Sequence, residues 1–298
     1  MIQRHYNRAS RETAEERSKS DHLALRRFHN ALKTALLRRA MRHAPYVDSV
    51  LDVACGRGGD VSKWAALGAR RYTGIDIAEE ALTTARQRYA HLHAMPQTYA
   101  CVDMHSDALL PPGKHTAISV QFALHYAGGS KTRFHALWRA WAGRLAPGPG
   151  SRVVCTFSDA MVLARVALTA LRRRGVARAE DVPAAGVRAG NALVALHFPP
   201  RTCRALFAVL RGDDPPWGLE VRWQMGHLVD ASCAEYLLWP RHVDAAVRAA
   251  GLRVREAHNF HAFAYEERVP TGNGLTEEEW FVSRLYRTLV VEWNDSID

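Results

Sequence analysis

A chain of 298 residues, 48% of them hydrophobic, can bury about three quarters of its unfolded surface as one large domain or two small ones. It has no run of about 18 apolar residues to span a membrane, and Met1-Ile-Gln-Arg-His-Tyr-Asn7 offers no hydrophobic signal core. Its net charge of +10 suits a polyanionic partner, but the excess is spread along the chain and only five of the 40 basic residues are lysine, so charge alone says little. Cys55, Cys101, Cys155, Cys203 and Cys233 are scattered without a C-x-x-C pair. That argues against a disulfide framework or a metal site and for a reducing, intracellular compartment.

Residues 1–20 are polar and charged and read as an arm. From Asp21, the spacing of Leu25, Phe28, Leu32 and Leu36 predicts a helix packed on a sheet, with His29, Asn30 and Lys33 off its apolar stripe. Ser49-Val-Leu-Asp-Val-Ala54 is a short apolar run broken by one acid, Asp52, and reads as a buried parallel strand. Gly56, Gly58 and Gly59 then allow a tight turn and close approach to a ligand. A helix follows from Asp60 through Val61, Trp64 and Ala65, then a second strand, Arg71–Ile77, with Asp76 at its end. Strand, glycine turn, helix, strand and terminal acid make the nucleotide-binding half of a doubly wound sheet. Asp76 is placed to take both hydroxyls of an adenosine ribose. The turn does not supply G-x-G-x-x-G, and an acid lies inside the first strand, so S-adenosylmethionine (SAM) fits better than a dinucleotide.

Further along, the pattern predicts a helix over 78–94, a third strand over 98–102 ending before Asp103, and a fourth over 115–121. A helix over 131–145 closes at Pro147-Gly-Pro-Gly150, and a fifth strand spans 151–157. Residues 172–190 read as a loop, 191–198 and 219–228 as strands, 240–250 as a helix and 252–265 as a strand. A helix over 276–285 and a strand over 286–293 end the chain. The fold class is α/β, a Rossmann-like, doubly wound and mostly parallel sheet with ligands at the carboxyl ends of its strands.

Several stretches together resemble the eukaryotic and viral mRNA cap guanine-N7 methyltransferases. These are His5-Tyr-Asn7, Arg26-Arg-Phe-His-Asn-Ala-Leu-Lys33, Val50 to Trp64, Gln121-Phe-Ala-Leu-His-Tyr126, Glu235-Tyr-Leu-Leu-Trp-Pro240, Phe260 to Glu267, and Glu279-Trp280 to Tyr286. The resemblance implies a single cap methyltransferase domain over 1–298. Its SAM-binding core would occupy 21–160, with a small cap-binding insertion and the rest of the sheet in 161–298. It implies that Lys33, Asp52, Ala54, Gly56, Asp76, Asp103, Gln121 and Tyr126 hold SAM. Glu235, His125 and Tyr286 would position the guanine without a general base. His29, Asn30, Arg57, Lys63 and Arg88 would join them in contacting the cap and its triphosphate, and no metal is implied. Ala54, Arg57 and His29 depart from the family's usual glycine, lysine and asparagine.

The implied partner is 5′-capped mRNA; a capping-enzyme or activator subunit stays open, and no membrane is implied. The implied location is the nucleus, or the cytoplasm or virion if the chain is viral. Alternatives remain at this point: a SAM-dependent methyltransferase on another RNA or a small molecule, or a non-catalytic RNA-binding subunit. Single residues also have plainer readings. Glu235 ahead of an apolar stretch fits a helix-terminal charge, His125 and Tyr126 fit core residues at a strand end, and Arg88 fits a solvated helix face.

Overall fold

Three strands, β1 (Ser49–Val53), β4 (Ala117–Gln121) and β5 (Arg152–Ser158), are buried along their whole length. Their apolar runs therefore do not alternate, as expected for parallel strands covered on both faces. In the computed structural model, which describes residues 23–106, 110–225, 234–271 and 274–294, they form the middle of a seven-stranded sheet. The arm at 1–20, with His5-Tyr-Asn7, lies outside those residues.

The strand order is β10-β11-β5-β4-β1-β2-β3, with β2 at Arg71–Asp76, β3 at Gln97–Cys101, β10 at Leu252–Asn259 and β11 at Tyr286–Trp293. The pairs β1–β2, β2–β3, β1–β4 and β4–β5 are parallel. Only β11 runs antiparallel, between β5 and β10. The order reverses between β1 and β4, which opens a crevice at their carboxyl ends.

Helix α1 (Leu23–Met41) buries Leu25, Phe28, Leu32 and Leu36 as the spacing predicts, and also Lys33. Its start is fastened by Glu279, whose Oε1 accepts the Leu25 N–H at 3.0 Å. The same carboxylate closes a capping box with Thr276 at the head of a late helix, Glu277–Ser283. Between these ends come α2 (Val61–Ala66), α3 (Glu79–Tyr89), α4 (Lys131–Arg144), α5 (Ala160–Arg173), α6 (Pro200–Leu210), α7 (Pro240–Arg248) and α8 (Phe260–Glu266). The late helix is α9.

Two sequence expectations fail here. Residues 172–190 are not simply a loop: α5 runs to Arg173, and Val187–Gly190 forms strand β6. The strand expected over 252–265 stops at Asn259, whose side chain accepts the His261 N–H at 3.0 Å and caps α8. A second sheet, antiparallel and ordered β6-β7-β8-β9, adds β7 (Ala195–Phe198), β8 (Glu220–Gln224) and β9 (Ala234–Tyr236).

Candidate active site

The crevice is built first by the turn after β1. Ala54 leaves the strand with φ +57° and Gly56 follows with φ +52°. A Cβ added to Gly56 or Gly59 would meet nothing within 4 Å, so the backbone lines open space. Gly58 is closed instead: a Cβ there would come within 2.8 Å of the Tyr89 ring. The turn and the end of α3 are thus pressed together. Arg57, half-buried, sits on this turn, and Arg88 is exposed on α3 with its guanidinium 5.1 Å from the Tyr89 ring centre.

At the end of β2, Asp76 accepts the Gly56 N–H on Oδ2 and the Ala78 N–H on Oδ1, each at 2.8 Å. Burial raises its carboxyl above the ordinary range, and the backbone N–H groups oppose that rise. Each oxygen keeps a second lone pair, so two ribose hydroxyls can still be accepted. Asp103 follows β3 and accepts the His105 N–H at 3.0 Å. An open glycine cradle with acids at the ends of two neighbouring strands fits the adenosine of SAM.

Asp52 lies deeper. Its Oδ2 accepts the Tyr72 hydroxyl at 2.6 Å, and burial, with Asp60 nearby, pushes its carboxyl up to about 7. Asp60, at the head of α2, is gripped by two lysines: Lys33 Nζ at 2.8 Å from Oδ2 and Lys63 Nζ at 2.8 Å from Oδ1. Burial alone would raise Asp60; the two ammonium groups outweigh it and hold it low. Lys63 also donates to Gly59 O and to Asn30 Oδ1. The sequence therefore leads to one compact charged cluster, Lys33–Asp60–Lys63–Asn30, with Lys33 Nζ also 5.7 Å from the centre of the Phe122 ring.

Gln121 is satisfied within the sheet. Its amide donates to Val154 O and Ser119 Oγ and accepts the Thr156 hydroxyl. Phe122, immediately after it, has φ +56°, a conformation costly for a bulky residue. Its N–H is held by Thr156 O at 2.8 Å. The bend throws the ring among His29, Phe260 and Tyr286, whose ring centres lie 5.0–5.8 Å away. Tyr286 carries Trp223 stacked on one side at 5.5 Å. His29 is neutral in this setting: burial, with Lys33 and His261 nearby, pulls it down to about 3, and its Nε2 has no hydrogen-bond partner.

The second sheet supplies the other wall. Glu235 on β9 pairs directly with Val221 on β8, and Trp223 lies two residues on, so all three share one face. Glu235 is therefore a strand residue, and the helix begins only at Pro240, which rules out the helix-terminal charge. Its Oε1 lies 3.5 Å from His125 Nε2, and the Tyr126 hydroxyl bonds its carboxyl. Glu235 and His125 are 4% and 2% exposed, so neither meets bulk water. Burial pushes Glu235 up to about 8 and His125 down to about 3. His125 Nδ1 accepts the Ser158 N–H at 3.4 Å, so the neutral ring carries its proton on Nε2, toward Glu235. Ser158 is also the register partner of Tyr286, which ties this pair to the aromatic cluster.

Of the residues named for the cofactor, Lys33, Asp52, Ala54, Gly56, Asp76 and Asp103 gather at β1, β2, β3 and α1; Gln121 ends β4 with its amide held inside the sheet, and Tyr126 stands with Glu235, His125 and Tyr286 between the sheets. Trp223 escapes sequence reasoning, because its strand carries no motif. Phe122 and Phe260 stand inside quoted motifs, yet their roles come only from the bend and from the junction of β10 with α8.

The family profile described as the mRNA (guanine-N(7))-methyltransferase domain matches residues 1–286. A curated mRNA cap guanine-N(7) methyltransferase of Schizosaccharomyces pombe is 37% identical over 46% of this chain and 40% of its own length. One from Oryza sativa, mRNA cap guanine-N(7) methyltransferase 1, is 26% identical over 96% of this chain and 79% of its own length. Among solved structures, magnesium protoporphyrin IX methyltransferase from Synechocystis, with bound SAH, superposes with a TM-score of 0.54 at 13% identity over 98% of each chain, a likeness of fold alone. Motifs, sheet order and whole-length profile agree: the chain belongs to the mRNA (guanine-N(7))-methyltransferase family, on the Rossmann-like fold of the SAM-dependent methyltransferases.

Proposed function

We propose that this chain transfers a methyl group from SAM to N7 of the terminal guanine of the GpppN end of mRNA, giving the m7GpppN cap. The observation that carries the reading is Glu235, a buried carboxyl with Oε2 left without a hydrogen-bond partner. Guanine offers two adjacent donors, N1–H and N2–H, on its Watson–Crick edge. Together they match one carboxylate.

SAM, when bound, supplies an electrophilic methyl on sulfur. Guanine N7 carries no proton, so the chain needs no base to free its lone pair. What the residues supply is alignment and field. Phe122, Tyr286 and Trp223 form a rigid aromatic wall for the base, and alignment of two bound reactants can lower a barrier by about 7–11 kcal/mol. As N7 is methylated the purine becomes cationic, and an ionised Glu235 holds that form better than the neutral base. The Tyr126 hydroxyl is a neutral donor that supports the carboxylate without cancelling its charge, and neutral His125 stands beside it. Asp76 takes the ribose, Asp103 the adenine amino group, and Lys33 the methionine carboxylate. Asp52 is the family's strand acid and a partner for the methionine ammonium. Arg57, Lys63 and Arg88 face the triphosphate, with Lys63 already shared with Asp60.

Residues 21–160 then carry the cofactor and 161–298 complete the guanine pocket. Capped mRNA is the partner, in the nucleus or cytoplasm, and a capping-enzyme or activator subunit would act from outside this pocket. The test is methyl transfer from radiolabelled SAM to GpppA-ended against pppA-ended RNA. Labelling of the capped RNA alone is expected. Equal labelling of both would favour the alternative, another RNA site.

A further inference from the structure

Strand β5 carries two hydroxyls near its carboxyl end, and only one of them is hydrogen-bonded among the described residues. Thr156 donates to Gln121 Oε1 at 3.1 Å and accepts the Phe122 N–H at 3.0 Å, which holds the end of β4 and the bend after it. Ser158, two residues on, points to the same face of the sheet. It is fully buried, yet its Oγ has no partner among the described residues. Leaving a buried hydroxyl unpaired is unfavourable, and a ligand that pairs it recovers that loss on binding.

The surroundings of Ser158 are those of the Glu235 site. Its register partner across β5 and β11 is Tyr286, so the two side chains share one face with Cβ atoms about 4.5–5.5 Å apart. Its N–H goes to His125 Nδ1 at 3.4 Å, and the other nitrogen of that ring faces Glu235 Oε1 at 3.5 Å. Ser158 and Glu235 therefore flank one imidazole, with Tyr286 beside the serine. Where β4 pairs with β5, Gln121 stands opposite Thr156 on the last rung. Ser158 projects one pleat beyond that rung, at the carboxyl end where the crevice opens.

On the function proposed above, the base held here is guanine, and a carboxylate reads only part of its edge. Glu235 takes N1–H and N2–H; O6, next along the same edge, is an acceptor and needs a donor. The Tyr126 hydroxyl is engaged on Glu235, and His125 Nε2 is turned toward that carboxyl. We propose that the Ser158 hydroxyl donates a hydrogen bond to O6 of the cap guanine. Two bonds to one side chain let the base swing with it; a third, to a hydroxyl rooted in β5, ties the edge beside N7 to the sheet. O6 and N7 are neighbours on the purine, so this bond aims the N7 lone pair without occupying it. As N7 is methylated the purine turns cationic and O6 becomes a poorer acceptor. The bond is thus stronger in the bound substrate than in the transition state, and it acts on KM, whereas Glu235 also acts on kcat.

The experiment measures steady-state methylation by the full chain of two cap dinucleotides, GpppA and its analogue with 6-thioguanosine as the cap nucleoside. Sulfur is a poor acceptor and leaves N1–H and N2–H in place. The wild-type KM is expected to be about three- to tenfold higher for the thio cap. Ser158→Ala should raise KM for GpppA by the same factor of about three to ten, keep kcat within about twofold, and show nearly equal KM for the two caps. Its Tm should hold or rise, because Oγ makes no bond to the described residues in the free protein. The same ratio of KM values between the caps in wild type and variant would overturn the proposal, as would a fall in kcat at unchanged KM. A lowered Tm with equal losses on both caps would make Ser158 a structural residue and overturn it too. A wild-type chain that methylates neither cap would place the failure in the proposed function itself, and this proposal would fall with it.

Discussion

Replacing Glu235 by Gln keeps its shape, removes its ability to ionise and puts an amide donor where guanine also donates. In the free protein the carboxyl titrates near 8, because burial withholds water and no cation lies against it. At pH 7 about one molecule in ten is ionised, so forming the carboxylate costs about 1 kcal/mol. Two hydrogen bonds to an ionised group then return about 1.5–3 kcal/mol each. The net loss in Glu235→Gln is about 2–5 kcal/mol, or about 30- to 5000-fold in kcat/KM on GpppA-ended RNA. Because charge develops on the purine, part of the loss falls on kcat. SAM affinity is expected to change little, since Lys33, Asp76 and Asp103, proposed for the cofactor, lie on other elements. Wild-type kcat/KM should rise with pH up to about 8, and the variant's should be flat. The same proton shapes stability. The folded carboxyl holds its proton above the unfolded value of 4.5, so folding stability falls as pH rises from 4.5 toward 8. Thermal melts should show the variant gaining on the wild type across that window. Wild-type activity in Glu235→Gln, or a flat wild-type profile, would refute the reasoning.

Asp76→Ala removes the acceptor of two ribose hydroxyls and should weaken SAM by about 2–3 kcal/mol, about 30- to 150-fold by calorimetry; unchanged affinity in a folded variant would sink the assignment. Asp60→Asn leaves the Lys33 and Lys63 ammonium groups together without their carboxylate and should cost about 3 kcal/mol. That is read as a fall of about 6–12 °C in Tm, and an unaltered Tm would show that the cluster is not stabilising. Ala54→Gly relieves a methyl-bearing residue at φ +57°. The gain, offset by the greater freedom of glycine in the unfolded chain, should be about 0.5–1 kcal/mol in denaturant melts, and a loss would mean the methyl packs favourably.

Much of the fold is legible in the chain because the central strands are buried on both faces and their apolar runs have sharp ends. The last strand, Tyr286–Trp293, falls where its pattern predicts. Reading failed where one element passes directly into another. Through Asn259 the apolar character continues, and the change from strand to helix is set by one side-chain cap. Helix α6 begins on Pro200 and has no conspicuous polar cap to announce it. Asp76 and Asp103 could be placed from the sequence because they stand at strand ends, where backbone geometry fixes their direction. The spacing placed Lys33 off the apolar stripe and the resemblance named it for SAM, but its burial was not legible, since that depends on Asp60, 27 residues later. The aromatic cluster was least legible. Phe122 acts through a left-handed backbone, and Trp223 reaches Tyr286 only because the second sheet folds back on the first.

The central claim concerns one atom. RNA ending in GpppA, incubated with the chain and SAM, can be cut by nuclease P1 and its cap dinucleotide fragmented in a mass spectrometer beside authentic m7GpppA. The account predicts a single added methyl on the guanine base, co-eluting with the m7GpppA standard, and its absence when the cap guanosine is replaced by 7-deazaguanosine. A methyl on the adenosine, on a ribose, or on the 7-deaza cap would contradict it.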